Sequence, residues 1–178
     1  ASRLVLSRGV EDTIRALSHL PERVKLVVAG SGDDKDKLES IAKDCGVSER
    51  VNFIGHVDHS ELPAYYKVSD IFVRPSIIEG FGNAFVEAFA AGIPVVATPV
   101  GGIPDFLFDP DANPDTPATG LFCAVRDPES VAAAVQRYMD HPELVSEVVG
   151  NAKSLVAERY DWNNIAQAQK RRIFDPLI

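Results

Sequence analysis

One stretch, Asp70 to Ala97, leaves this chain few folds to choose from. It runs Asp70-Ile71-Phe72-Val73-Arg74-Pro75-Ser76-Ile77-Ile78-Glu79-Gly80-Phe81-Gly82-Asn83-Ala84-Phe85-Val86-Glu87-Ala88-Phe89-Ala90-Ala91-Gly92-Ile93-Pro94-Val95-Val96-Ala97. An apolar strand (70–73) leads in, and Gly80-Phe81-Gly82 makes a turn. A helix then opens near Gly82 or Asn83, and a second strand (94–97) leads out. Strand, turn, helix, strand is half of a nucleotide-binding sheet. In such sheets ligands lie at the carboxyl ends of the strands, and the free N–H groups of a helix start attract phosphate.

The alternation continues on both sides. Helical patterns cover 9–20, 36–45, 61–67, 128–140, 142–160 and 163–174, with Ile14, Leu17 and Leu20 on one side of the first and Gly46 as the stop of the second. Strand patterns cover 24–29, 51–55 and 120–125. Apolar strands between helices imply a parallel sheet buried on both faces, and right-handed crossovers make it doubly wound. The fold class is therefore α/β, a doubly wound, Rossmann-like parallel sheet. A proline- and aspartate-rich loop, 108–119, reads as a surface insertion in the position of a lid.

At 178 residues the chain is one domain, 1–178. Its net charge of −8 argues against nucleic acid as a partner. No apolar run is long enough to span a bilayer and no signal segment is apparent, so a soluble, cytoplasmic domain is expected. Cys45 and Cys123 read as packed free thiols. The four histidines show no ligand spacing, so no metal site is expected. The opening Ala1-Ser2-Arg3-Leu4-Val5 lacks the strand that usually begins such a sheet, which suggests a fragment or trimmed domain.

The chemistry concentrates on Glu79 and Glu87. Glu87 falls in the second helical turn and leans back towards the helix start, so both carboxylates aim at one crevice. A carboxylate accepts hydrogen bonds from the vicinal hydroxyls of a sugar. The N–H groups of Gly82, Asn83 and Ala84 have no intrahelical partner and suit a diphosphate. Two isolated glutamates and a glycine turn would be a surface feature and nothing more; the surrounding motif gives them weight. Gly30-Ser31-Gly32-Asp33 invites a dinucleotide reading but fails it, because the third glycine would fall at Lys35. A Rossmann oxidoreductase is therefore disfavoured.

Glu, seven residues, Glu, set in Pro-Ser-x-x-Glu-Gly-Phe-Gly and followed by Glu-Ala-x-Ala-x-Gly-x-Pro-Val-Val, resembles the retaining glycosyltransferases of the GT-B fold. It is most similar to the large family 4 (group 1) type, and the resemblance covers essentially the whole chain. It implies the C-terminal, donor-binding half of such an enzyme, with the N-terminal acceptor domain absent from this chain. The expected reaction moves a hexose from a nucleotide diphosphate sugar to an acceptor hydroxyl with retention. Glu87 would hold the ribose, and Glu79 would face the transferred sugar and its anomeric carbon. Arg3 and Arg8 would clamp the diphosphate, Arg8 standing where the family has lysine. Gly80, Phe81, Gly82, Asn83 and Ala84 would border the donor, with Gly30 and Ser31 nearby and His56 and Val57 meeting the base through the backbone.

Gly101-Gly102-Ile103-Pro104-Asp105 resembles a family segment that either borders the donor sugar or packs as a turn. The tail, Glu158 to Trp162, resembles a segment leading into a helix that crosses to the other domain, which would leave Ile165 and Ile173 partly uncovered. With no Asp-x-Asp motif, the resemblance implies metal independence and no cofactor. Any peripheral association with the inner membrane would be set by the other half. Two alternatives stand beside this reading: a nucleotide-binding module without activity on its own, and a GT-B nucleotide-sugar epimerase or phosphorylase.

Overall fold

The computed structural model describes residues 4–175. Its strands are β1 (Leu26–Ala29), β2 (Val51–Gly55), β3 (Phe72–Arg74), β4 (Val95–Ala97) and β5 (Leu121–Phe122). Its α-helices are α1 (Val10–Ala16), α2 (Lys35–Asp44), α3 (Leu62–Lys67), α4 (Asn83–Ala91), α5 (Pro128–Asp140), α6 (Pro142–Arg159) and α7 (Trp162–Gln169).

Most expected elements hold, and the departures have local causes. The first helix tightens into a 3-10 turn at Leu17–His19, and Leu20 is extended (φ −111°, ψ 153°), as the residue before Pro21 should be. The strand expected over 120–125 pairs only at Leu121–Phe122. Arg126, at φ 57°, then turns the chain into α5, whose N-cap Asp127 accepts from the Ser130 N–H. The last helix gives way to a π-helical turn, Lys170–Phe174.

Every strand pair is parallel. Leu26 lies opposite Val51, Phe72 opposite Val95 and Val96 opposite Leu121. β4 shows why both faces need cover. Val96 packs in one apolar cluster with α1, α2 and α5, while Val95 and Ala97 pack in another with α3, α4 and α6, all three with no exposed surface. Side chains alternate between faces along a strand, so a strand apolar at every position must be buried on both.

The sheet comes in two pieces, β1–β2 and β3–β4–β5. Between the edges of β1 and β3 lies a slot of 660 Å³, lined by Val28, Val73, Leu17, Val131 and Val135 among others, with Tyr66 on its other face. Phe72 donates its N–H to Pro94 on the β4 side at 2.9 Å. Ile71 and Val73 therefore turn their N–H and C=O groups towards the slot.

The 108–119 loop is tied down. Asp109, 6% exposed, accepts from the N–H groups of Asp111 (2.8 Å), Ala112 (3.3 Å) and Phe122 (2.7 Å). Asp111 pairs with Arg137 of α5 at 2.6 Å. The loop is the surface insertion expected, and its ties argue against a lid: Asp109 is spent on backbone N–H groups and Asp111 on α5. Cys123 is a buried free thiol whose pKa burial pushes up to about 12; Cys45 is half-buried. Trp162 and Ile173 are exposed in the tail, and Ile165 is half-buried. No helix among the described residues is long and apolar enough to cross a membrane.

Candidate functional site

A cleft of 460 Å³ opens where β3 ends and α4 begins, and Arg8, Glu79, Phe81, Gly82, Asn83, Ala84 and Glu87 line it. These are the residues that the sequence singled out, brought from two places in the chain, Arg8 and the segment 79–87. Arg8 arrives on a 3-10 turn, Leu6–Arg8, ahead of Gly9. Gly9 (φ 72°) must be glycine, because a Cβ there would lie 1.9 Å from the Pro75 carbonyl oxygen.

Glu79 is the best-held group in the cleft, its side chain only 7% exposed. Its Oε2 accepts from Arg8 at 2.8 Å and Arg74 at 2.7 Å, and its Oε1 accepts from the Gly80 N–H at 3.1 Å. Beneath it the backbone is packed without slack. Gly102 donates to the Gly80 carbonyl at 2.8 Å, and a Cβ on Gly101 would lie 1.7 Å from the Glu79 carbonyl oxygen. Gly101-Gly102 therefore acts as the bed of the Glu79-Gly80 turn. Phe81 packs on Phe106 and Tyr160, which ties the turn to the tail.

α4 starts at Asn83 behind Gly82, which is left-handed (φ 86°) and offers no side-chain cap. α5 and α7 are capped by Asp127 and Asp161, whereas α1, α2, α3 and α6 start, like α4, without a side-chain cap. The first N–H groups of α4 are thus left open towards the cleft, with the positive end of the helix dipole behind them. Glu87, one turn in, accepts from the Tyr66 hydroxyl at 3.1 Å, and its other oxygen lies 3.2 Å from Nε2 of His59. Burial first, and then the neighbouring Glu87 carboxylate, push the Tyr66 pKa up, so the phenol stays protonated and donates.

Other expected residues lie elsewhere. Gly30, Ser31, His56 and Val57 do not line this cleft. The Gly30 N–H donates to the Gly55 carbonyl at 2.7 Å, and the Ser31 carbonyl accepts from Leu4 at 2.9 Å. His56 is exposed and sits 3.5 Å from Asp58, while Val57 packs against the α3–α4 cluster. Gly80 serves through its backbone. Arg3 lies outside the described residues.

Sequence reasoning missed Arg74, Tyr66 and His59. Arg74 had a signal: a lone cation closing an apolar strand is buried only if it is paired. Tyr66 had none, since it meets Glu87 through the packing of α3 against α4.

These elements recur in known proteins. The family model described as "Glycosyl transferases group 1" matches residues 1–166. The uncharacterized glycosyltransferase MJ1607 of Methanocaldococcus jannaschii is 38% identical over 167 residues, which are 93% of this chain and 41% of that protein. The chain thus spans less than half the length of that relative. Anabaena Alr3699/HepE in complex with UDP-glucose shares the fold, with a TM-score of 0.86 at 23% identity over 98% of this chain and 47% of that one. The C-terminal domain of the glycosyl transferase group 1 protein LpcC from Francisella tularensis superposes with a TM-score of 0.77 at 26% identity, over 90% of this chain and 83% of that one. With an α/β fold of the GT-B kind, the paired glutamates in one cleft and a family match over nearly its full length, the chain belongs to the glycosyl transferases group 1 family.

Proposed function

We propose that this chain is the donor-binding domain of a retaining glycosyltransferase that moves a hexose from a nucleotide diphosphate sugar to an acceptor hydroxyl. The observation that carries this reading is the convergence of Glu79, Glu87, Arg8 and the uncapped start of α4 on one cleft at the carboxyl end of β3. Glu87, pinned on one oxygen by Tyr66, presents its other oxygen, beside the exposed His59, to ribose hydroxyls. Arg8 and the N–H groups of Asn83 and Ala84 meet the diphosphate, with Arg3 as their partner. Glu79 faces the transferred sugar, and the acceptor attacks on the face from which the nucleoside diphosphate leaves. Stabilising the charge that builds on the leaving diphosphate would supply most of the rate. Protein cations and helix N–H groups do this work, so we infer a metal-independent reaction. HepE, the structural neighbour crystallised with UDP-glucose, supports a nucleotide-sugar donor.

The same reading assigns the slot between β1 and β3 to one further apolar strand, parallel to both and supplied by the rest of the enzyme along with its acceptor domain. Slower hydrogen exchange at Ile71 and Val73 in the full-length protein than in this chain would bear that out.

Calorimetric titration with UDP, GDP and ADP, with and without EDTA, tests the donor site. One nucleotide should bind, EDTA should not weaken it, and Glu87→Ala should. If no nucleotide binds either this chain or the full-length protein, the reading is wrong.

A further inference from the structure

Two arginines meet Glu79, and their settings differ. Arg74 closes β3, where pairing with Ala97 of β4 fixes its backbone. Its side chain is 10% exposed and lies over the fully buried ring of Phe85, 5.4 Å from the ring centre. Its Nη2 is 2.7 Å from Oε2 of Glu79. Arg8 reaches the same oxygen from a short 3-10 turn, at 2.8 Å, with a side chain 30% exposed. Its second contact is a long one, 3.4 Å to the Ile78 carbonyl. Among the described residues, each guanidinium also keeps a buried Nε–H without an acceptor. One carboxylate therefore serves two cations that have donors to spare, beside an uncapped helix start.

We propose that Arg74 is the permanent counter-ion of Glu79 and Arg8 the exchangeable one, which an incoming diphosphate draws away from Glu79 into the cleft. The proposal rests on the diphosphate-binding reading of the cleft and assigns Arg74 the part of a positioning residue. A buried carboxylate that loses its only cation is left unpaired at high cost. With Arg74 in place, Glu79 stays paired when Arg8 leaves; without it, Arg8 has to stay. Burial lowers the Arg74 pKa and Glu79 opposes that shift, as expected of a cation kept in the interior by this carboxylate.

Inorganic pyrophosphate, titrated calorimetrically into the whole chain, tests the exchange. Arg74→Met should weaken binding about tenfold, and adding Glu79→Gln should bring it back to within about threefold of wild type, since nothing then holds Arg8. Arg8→Gln should bind poorly in either background. Wild-type affinity in Arg74→Met, or no recovery in the double variant, would overturn the proposal. Arginine side-chain NMR of the unmutated protein decides it independently of folding defects. Arg74 should show hindered guanidinium rotation and Arg8 free averaging, with pyrophosphate shifting the Arg8 resonance alone. An Arg8 as locked as Arg74 in the free protein would sink the idea even if no anion bound. Failure of the wild type to bind any anion would count against the donor reading itself, and the NMR contrast would still decide the exchange.

Discussion

Tyr66 on α3 donates its hydroxyl to Oε2 of Glu87 on α4, 3.1 Å away, from a position only 7% exposed. The hydrogen bond fixes one oxygen of the carboxylate, and the other lies 3.2 Å from Nε2 of the exposed His59. Tyr66→Phe should keep the ring packing against Phe72 and lose the tether. The expected cost is about 1 kcal/mol in stability, read by urea denaturation. Nucleotide affinity should fall about three- to tenfold, the equivalent of roughly 1 kcal/mol. Unchanged affinity would mean that the tether plays no part in the site.

Gly101→Ala should be damaging although Gly101 does not line the cleft. Gly101 sits at φ 57° with the Glu79 carbonyl where its Cβ would go. A left-handed alanine that also displaces the turn should cost about 3 kcal/mol. Because Glu79 rides on that turn, binding should weaken as well. A variant that melts like wild type would show that the turn has more room than the structure gives it.

The 108–119 loop offers a sharper contrast. Asp109→Ala strands three backbone N–H groups and should destabilise the fold by about 3 kcal/mol. Nucleotide affinity at a temperature where the protein stays folded should not change, because no residue of the loop lines the cleft. A loss of affinity with intact stability would restore the lid reading.

Asp111 carries a readable pH signature. A hydrogen bond from Arg137, and then its charge, hold the Asp111 carboxyl below the usual carboxylate range. A group whose folded pKa is depressed contributes stability above its unfolded pKa and loses that contribution as pH falls through the folded value. The pair is solvent-exposed, so the effect on stability is small. The titration itself should move. In Arg137→Gln the Asp111 midpoint, followed by carboxyl carbon NMR, should rise towards the ordinary value, and a fixed midpoint would show that the pair does not persist in solution.

Much of this protein was legible in one dimension. Alternating apolar runs and helical patterns determined a parallel α/β sheet, because a strand apolar at every position has to be covered on both faces. The Glu79 to Glu87 spacing, broken by Gly80 and Gly82, determined a turn feeding a helix, and so two carboxylates in one cleft. What only the tertiary structure decided came from contacts between residues distant in the chain. Arg8 meets Glu79 from seventy-one residues away, and Tyr66 meets Glu87 from twenty-one. Those pairings depend on how the 3-10 turn at Arg8 and the short helix α3 pack against β3 and α4. The role of Gly101-Gly102 as the bed of the Glu79 turn, and the pinning of the 108–119 loop by its own aspartates, were hidden for the same reason. Periodicity reports which face of an element is buried, but not which element is packed against it.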